Sequence, residues 1–253
     1  MFNKNANIML NQKSILKGLA AMVAFAFLLS LSSCYKDGMC LRGNGQPEIE
    51  VRSLPSFEGV VNNGSFDVTI VPADYYEVEI DAESNLLPYI QTTVAGRKLY
   101  IETVSNRCIN NTMSIMVTVY TPYADIIELN GSGSVVANDL YLDNLKVKLN
   151  GSGTIDVDDI DVINLEAEIS GSGRIGLSGI ATTTELTITG SGNIEAYSLN
   201  QMRCFATITG SGNMYVRVSS LLDAEISGSG NVYYRGNPDV VQHITGSGRV
   251  IKQ

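Results

Sequence analysis

ELNGSGSVVA, residues 128–137, contains a Gly-Ser-Gly triplet that occurs seven times in this 253-residue chain. The first glycines of successive triplets are separated by 20, 20, 19, 20, 18 and 18 residues. A flexible Gly/Ser linker has no reason to keep such a period, and a phosphate-binding loop is needed only once. A fixed period near 20 residues is typical of a solenoid, in which each unit buries its core against the next. The triplets begin at Gly131, Gly151, Gly171, Gly190, Gly210, Gly228 and Gly246.

Apolar and polar residues alternate on both sides of each triplet, which is the pattern of a strand with one buried face. One strand therefore runs into the triplet and another leaves it. Coils of this length, stacked in register, form an all-β parallel β-helix with strands about 4.8 Å apart between turns. We predict seven Gly-Ser-Gly coils of 18–20 residues. The apolar residues two positions before the triplets are Leu129, Leu149, Ile169, Ile188, Ile208, Ile226 and Ile244.

The same register predicts which outward side chains meet. Lys146 and Lys148 should lie over Glu166 and Glu168 on the next turn, as exposed pairs that help the register more than the stability. The last coil has no further turn in the sequence to cover it. Because an open strand edge invites pairing with another chain, we expect this coil to be a place where copies of the protein could form a homo-oligomer.

Residues 46–123 are less regular but also read as strands, for example FDVTIV (66–71) and MSIMVTVY (113–120). VNNGSFDVTIV (61–71) looks like a degenerate copy of the repeat, with Gly64-Ser65 in place of the triplet. We predict that residues 46–123 form wider capping coils of one β-helix domain, 46–253, whose regular repeats occupy residues 124–253.

The N-terminus has the order of an export signal. Three lysines and no acids precede an apolar run, residues 18–31, that is short for a membrane span and fits a secretory signal. The run ends in Leu31-Ser32-Ser33-Cys34, which resembles the lipobox of bacterial lipoproteins. This resemblance implies removal of residues 1–33, lipidation of Cys34, a membrane partner through the lipid, and a polar tether over residues 34–45. The alternative is an ordinary signal peptide with a chance cysteine.

The charge of the chain restricts its partners. The full sequence carries 17 Lys plus Arg against 26 Asp plus Glu, and loss of residues 1–33 leaves a net charge of −12. An acidic surface repels nucleic acid and anionic lipid headgroups, so neither is an expected partner.

Two segments of the front part, together with the triplets, resemble a known family. SFEGVVNNGSFDVTIV (56–71), YYEVEIDAESNLLPYIQTTVAGRKLYIE (75–102) and the repeated GSG are similar to the auto-transporter adhesin family called the head GIN domain. The resemblance covers roughly residues 50–250. It implies a single right-handed parallel β-helix, a pectin-lyase-like solenoid, on lipoproteins of Bacteroidetes-type bacteria. It also implies adhesion, and the family pattern contains no catalytic residues.

A candidate ligand surface lies just after the triplets. Asn193, Asn213 and Asn231 share one outward column, and Tyr215 and Tyr233 share the next. Stacked amides and aromatic rings on a rigid face could bind sugar. The alternative, which we favour, is structural, because asparagine ladders stabilise β-helix turns and tyrosine suits strands.

Other candidate sites are weaker. Cys40 and Cys108 form a disulfide or remain two free thiols, and both readings stay open in an exported protein. Cys204 falls in an inward column and His243 in an outward one. The acids at positions 156, 158, 159 and 161 sit on one corner with no basic residue between them. We therefore expect a solvated loop, with calcium binding as the less favoured alternative, and we predict no metal site, no cofactor and no catalytic group.

Three functions fit these features to different degrees. The first is a non-enzymatic, lipid-anchored adhesin of the outer membrane whose rigid face binds a glycan or a host or cell-surface protein. The second is a scaffold or signalling-associated lipoprotein that faces the periplasm. A carbohydrate-active enzyme is the least favoured, because no cleft lined by acids and a base is evident.

Overall fold

The computed structural model describes residues 40–104 and 107–253, of which 73% lie in strands. The predicted signal peptide, Cys34 and the first part of the predicted tether lie outside these residues. A short 3₁₀ helix spans Leu87–Tyr89. The strands are β1 (Leu41–Arg42), β2 (Pro47–Ser53), β3 (Gly59–Asn63), β4 (Asp67–Pro72), β5 (Glu77–Glu83), β6 (Ile90–Ala95), β7 (Lys98–Thr103), β8 (Ile109–Asn110), β9 (Met116–Thr121), β10 (Ile126–Gly131), β11 (Ser134–Asn138), β12 (Tyr141–Gly151), β13 (Thr154–Gly171), β14 (Arg174–Gly190), β15 (Asn193–Gly210), β16 (Asn213–Gly228), β17 (Asn231–Arg235), β18 (Asp239–Gly246) and β19 (Arg249–Lys252).

The repeats form a parallel β-solenoid, as the sequence predicts. Strands β12 to β16 pair with one another in parallel, and each first glycine of a triplet is the register partner of the next one. The solenoid has about six turns rather than seven coils, because seven triplets mark the ends of six intervals. The predicted inward column of isoleucines and leucines is buried from Leu129 to Ile226.

The outward pairs also lie where the register places them. Lys146 is the partner of Glu166, and Lys148 of Glu168, with a 3.2 Å contact in the second pair. Both pairs are confirmed. Their side chains are partly exposed to solvent, so each pair contributes at most about 1 kcal/mol.

The triplet works as a corner that carries hydrogen bonds from turn to turn. The carbonyl oxygen of Gly151 accepts bonds from the amides of Ser172 and Gly173, at 3.0 and 3.2 Å. The same two bonds recur at the later triplets, so the first glycine of each turn supports the next. Gly171 has φ +139°, a conformation that side-chain-bearing residues rarely adopt.

The first coil is the predicted degenerate repeat. Strands β3 and β4 pair in parallel with β10 and β11, and Gly64 lies under Gly131. Below them, β7 and β9 continue the parallel stack. Three further pairings in the cap are antiparallel: β6 pairs with β7, and β5 pairs with both β9 and β2. The expectation of wider coils throughout residues 46–123 is therefore wrong for these strands.

A tight hairpin explains part of this reversal. Gly96 and Arg97 have φ values of +56° and +66°, which fit a two-residue hairpin turn with positive φ at both central positions. The turn sends β7 back along β6. Glycine suits positive φ, but Gly-Arg is not among the residue pairs typical of such a turn, and the alternation of β7 resembles that of a coil strand.

Residues 40–45, assigned to the tether from the sequence, belong to the folded unit. Cys40 and Cys108 are joined by a disulfide, and β1 pairs with β8 beside it. The buried carboxylate of Glu83 accepts bonds from the amide of Gly45 at 2.6 Å and from the amide and hydroxyl of Thr112 at 2.8 and 2.7 Å. The compact unit therefore begins at Cys40.

At the other end, β18 and β19 form the last coil. The side chains of Val240 and Ile244 fall in inward columns, yet both are more than a third exposed because, among the described residues, no other strand packs over them. Association of copies through this coil stays a prediction. Within residues 40–104 and 107–253, no helix is long and apolar enough to cross a lipid bilayer.

Candidate functional site

The three predicted asparagines form a ladder on successive turns. The Nδ2 atom of Asn213 lies 3.4 Å from Oδ1 of Asn193, and Nδ2 of Asn231 lies 3.1 Å from Oδ1 of Asn213. The amides therefore hydrogen-bond mainly to each other. This arrangement supports the structural role favoured from the sequence and leaves only part of each amide for a ligand.

The predicted tyrosines stack as the column requires. The ring centroids of Tyr215 and Tyr233 are 5.1 Å apart and the rings are within 8° of parallel. Since this distance is close to the spacing between turns, the facing sides of the two rings cover each other. A sugar could reach the edges and hydroxyls of these rings, but not the shared faces.

A third tyrosine, which the sequence analysis missed, extends this aromatic row. Tyr197 makes an edge-to-face contact with Tyr215 at 5.6 Å, and the guanidinium of Arg235 lies 4.0 Å from the Tyr197 ring centroid. Burial raises the pKa of Tyr197, so its phenol remains a hydrogen-bond donor at neutral pH. Tyr197 lies between Ala196 and Asn200, where the register shifts. Counting a fixed number of residues from the triplet therefore does not assign it to a column.

Beside this row lies an open groove of about 420 Å³, which we call the Arg174 groove. Arg174 donates two bonds of 2.7 Å to the carboxylate of Asp156 and one of 3.0 Å to Glu195. The position between these acids on the outward column is Gly176, and a β-carbon there would lie 2.3 Å from Oδ1 of Asp156. The groove is lined by Asp156, Asp158, Arg174, Ser178, Glu195, Tyr197 and Tyr215, among others.

This geometry corrects the sequence interpretation of the acidic corner. The acids at 156–161 have no basic residue between them and were predicted to form a solvated loop, but they lie in strand β13, and the next turn supplies Arg174. Asp158 is also engaged, since it accepts a 2.7 Å bond from the hydroxyl of Ser178. The 20-residue register could have predicted the pairing of Arg174 with Asp156. It places Gly176 beside Asp156, and because glycine has no side chain, the guanidinium of Arg174 has space there.

The other candidate residues stand apart from this groove. His243 is exposed on β18, and its register partner is Glu225. Cys204 is fully buried in the inward column of Leu165, Thr184 and Leu222. Among the residues that the structure describes, no three His, Cys, Asp or Glu side chains are grouped so that they could hold a metal ion.

Comparison with known proteins agrees with this architecture. The sequence profile of the family described as "Putative auto-transporter adhesin, head GIN domain" matches residues 56–238, most of the chain. The protein belongs to this family. The match includes the antiparallel strands β5, β6, β7 and β9 of the cap, the Arg174 groove and the aromatic row. No protein of curated function matches the chain at a significant level.

Solved structures share the fold of this head GIN domain protein. A "putative adhesin" from Bacteroides fragilis is 22% identical with a TM-score of 0.80, and the alignment covers 84% of this chain and 100% of the other. A "putative adhesin" from Parabacteroides merdae is 24% identical with a TM-score of 0.70, covering 84% and 98%. A "putative lipid binding protein" from Parabacteroides distasonis is 23% identical with a TM-score of 0.71, covering 84% and 99%. At these identities the likeness shows the fold alone.

Proposed function

We propose that this head GIN domain protein is a non-enzymatic, lipid-anchored adhesin of the cell envelope that binds a glycan in the Arg174 groove. The observation that carries this proposal is the groove itself, in which a bridged Arg174 lies beside Tyr197 and Tyr215 on a rigid wall. A few fixed polar groups next to aromatic side chains are the usual composition of a small-ligand site.

The chemistry of the groove suits a sugar that carries many hydroxyls. The carboxylates of Asp156 and Glu195 can accept hydrogen bonds from hydroxyls, while the tyrosine phenols can donate and accept them. The two ion pairs hold the Arg174 side chain in place before a ligand arrives, so less side-chain entropy is lost on binding.

The same groove is a poor candidate for glycoside hydrolysis. That reaction needs one carboxyl to act as an acid and a second to act as a base or nucleophile on the same sugar. Here Asp156 and Glu195 are both hydrogen-bonded to a single arginine. A carbohydrate-active enzyme is therefore the least favoured of the three functions.

Export and anchoring form the second part of the proposal. The Cys40–Cys108 disulfide suits an oxidising compartment outside the cytoplasm. Cys34 lies six positions before Cys40, so a lipid on Cys34 would hold the cap within about 20 Å of the bilayer, given roughly 3.5 Å per extended residue.

Binding can be tested by titrating the protein with neutral oligosaccharides, chosen from a glycan array, and comparing variants. Arg174→Ala and Tyr215→Ala should each weaken binding at least tenfold. Lys146→Ala is the matched control, because it removes a similar exposed inter-turn ion pair outside the groove. Equal affinity in all variants would show that the glycan binds elsewhere, and the absence of any glycan ligand would contradict the proposal.

Whether the domain faces the outside of the cell or the periplasm can be tested separately by protease treatment of intact cells, with a periplasmic lipoprotein as control. Loss of the domain while the control survives is the expected result for an adhesin. Protection in intact cells and digestion after lysis would favour the scaffold function that faces the periplasm.

A further inference from the structure

A second groove lies along the segment in which the coil length changes. The triplet interval falls from 20 to 18 residues between β15 and β16, and the register shifts at Ala196/Asn200 and Gln201/Arg203. Residues at this register shift line an open groove of about 570 Å³, which we call the Arg217 groove. Its lining includes Ile180, Asn200, Met202, Arg217, Ser219 and Asn237.

The charge of this groove is opposite to that of the Arg174 groove. None of the described residues that line it is Asp or Glu, whereas three acids line the Arg174 groove. Arg217 is the register partner of Arg235 on the next turn, so two guanidinium-bearing residues are neighbours. Lys252 adds a third cation, because its Nζ atom donates to Oδ1 of Asn237 at 2.7 Å.

These two arginines lack a carboxylate partner within residues 40–104 and 107–253, whereas Arg174 has two. Arg235 is positioned by its contact with the Tyr197 ring. Placing like charges on adjacent turns is unfavourable unless a counter-charge is present. A guanidinium offers paired N–H donors that match the two oxygens of a carboxylate or sulfate.

The negative charge of the whole chain does not prevent such binding. Charges separated by more than about 8 Å are largely screened at physiological ionic strength. The cations beside the Arg217 groove therefore act on a bound anion more strongly than the distant acids of the chain do.

We propose that the Arg217 groove binds the anionic group, a carboxylate or sulfate, of an acidic glycan. Arg217, which lines the groove, would hold the anion, and the neighbouring Arg235 and Lys252 would add positive charge beside it. The amide of Asn200 would bond to sugar hydroxyls. Ile180 and Met202, which are 55% and 51% exposed, offer apolar contact for the C–H face of the ring. The inference rests on the proposed function only in taking a glycan as the partner, since it concerns a different groove and a different ligand charge.

The test compares an oligosaccharide of uronic acids with its methyl ester, which has the same sugar rings without the charge. Calorimetric titration of the whole domain should show at least tenfold tighter binding of the acid than of the ester. Raising the salt concentration should weaken binding of the acid only. Arg217→Gln should lose at least tenfold in affinity for the acid, and Arg235→Gln should also weaken it.

Arg97→Gln is the matched control, because it removes one exposed guanidinium in the cap hairpin, outside the groove. The affinity of this variant for the acidic oligosaccharide should equal that of the wild type. Equal binding of acid and ester, absence of acid binding, or an equal loss in the Arg97 variant would overturn the inference. Displacement by inorganic sulfate at the same affinity would show an anion site without sugar recognition. Neutral glycans bound through Arg174 alone would leave the proposed function standing while this inference fails.

Discussion

The carbonyl oxygen of Gly151 lies only 2.3 Å from the place that a β-carbon on Gly171 would take. That oxygen is also the acceptor for the amides of Ser172 and Gly173. A side chain at Gly171 would therefore push on the atom that links one turn to the next. The triplet keeps its glycine for this close approach as well as for its backbone angle.

Gly171→Ala should consequently destabilise the domain by more than about 2 kcal/mol, since it combines a strained φ with an overpacked contact. Ser172→Ala, in the exposed middle of the same triplet, should change the free energy of unfolding by less than about 0.5 kcal/mol. Urea unfolding followed by circular dichroism compares the two variants. Similar losses in both would mean that the corner tolerates a β-carbon.

The Cys40–Cys108 disulfide should stabilise the cap through the unfolded chain. It closes a loop with a sequence separation of 68 residues, for which loop-closure entropy gives roughly 4 kcal/mol. The double variant Cys40→Ser/Cys108→Ser should therefore unfold at a lower urea concentration. As a control, a reducing agent should lower the stability of the wild type and leave the double variant unchanged. A loss smaller than about 1 kcal/mol would contradict the entropic account.

Cys204 should be inert in the folded protein. Burial raises the pKa of its thiol to about 12, so only about one molecule in ten thousand carries the reactive thiolate at pH 8. In a Cys34→Ser background, a disulfide-exchange reagent should label no thiol in buffer and one thiol in urea. A Ser229→Cys variant, exposed at a triplet, provides the reactive control. Labelling of native Cys204 at the rate of this control would mean that the inward column opens.

Glu83 should make the stability of the cap depend on pH. The hydrogen bond from the Thr112 hydroxyl, followed by those from the amides of Thr112 and Gly45, holds the pKa of Glu83 below its ordinary value of 4.5. Its contribution is therefore present above pH 4.5 and is lost as the pH falls through the lower, folded value. Between pH 7 and pH 3, wild type should lose more stability than Glu83→Gln.

Glu48→Gln is the control for this experiment, because Glu48 is an exposed glutamate on the neighbouring strand β2. Its stability should follow that of the wild type across the same pH range. If Glu83→Gln also follows the wild type, the buried carboxylate is not the group that titrates.

Much of this architecture could be predicted from the alternation and period of the repeats. Both are local properties: alternation of Val147, Leu149 and their equivalents assigns an inward face, and equal spacing stacks them. The columns of Asn193, Asn213 and Asn231 followed from the same arithmetic. The family could also be recognised, because its front segment and its triplets occur in one order.

The solenoid, its core and the columns of each wall thus follow from the sequence pattern. The antiparallel cap, the pairing of Cys40 with Cys108, and the open space of the two grooves appear only in the folded structure. The antiparallel strands depend on how a hairpin returns to a distant partner, and the grooves depend on a missing side chain at Gly176 and on the register shift after Ala196. Such features arise from contacts between residues about 20 to 70 positions apart. A periodic sequence pattern predicts the regular turns, but it does not predict the positions at which the structure departs from the period.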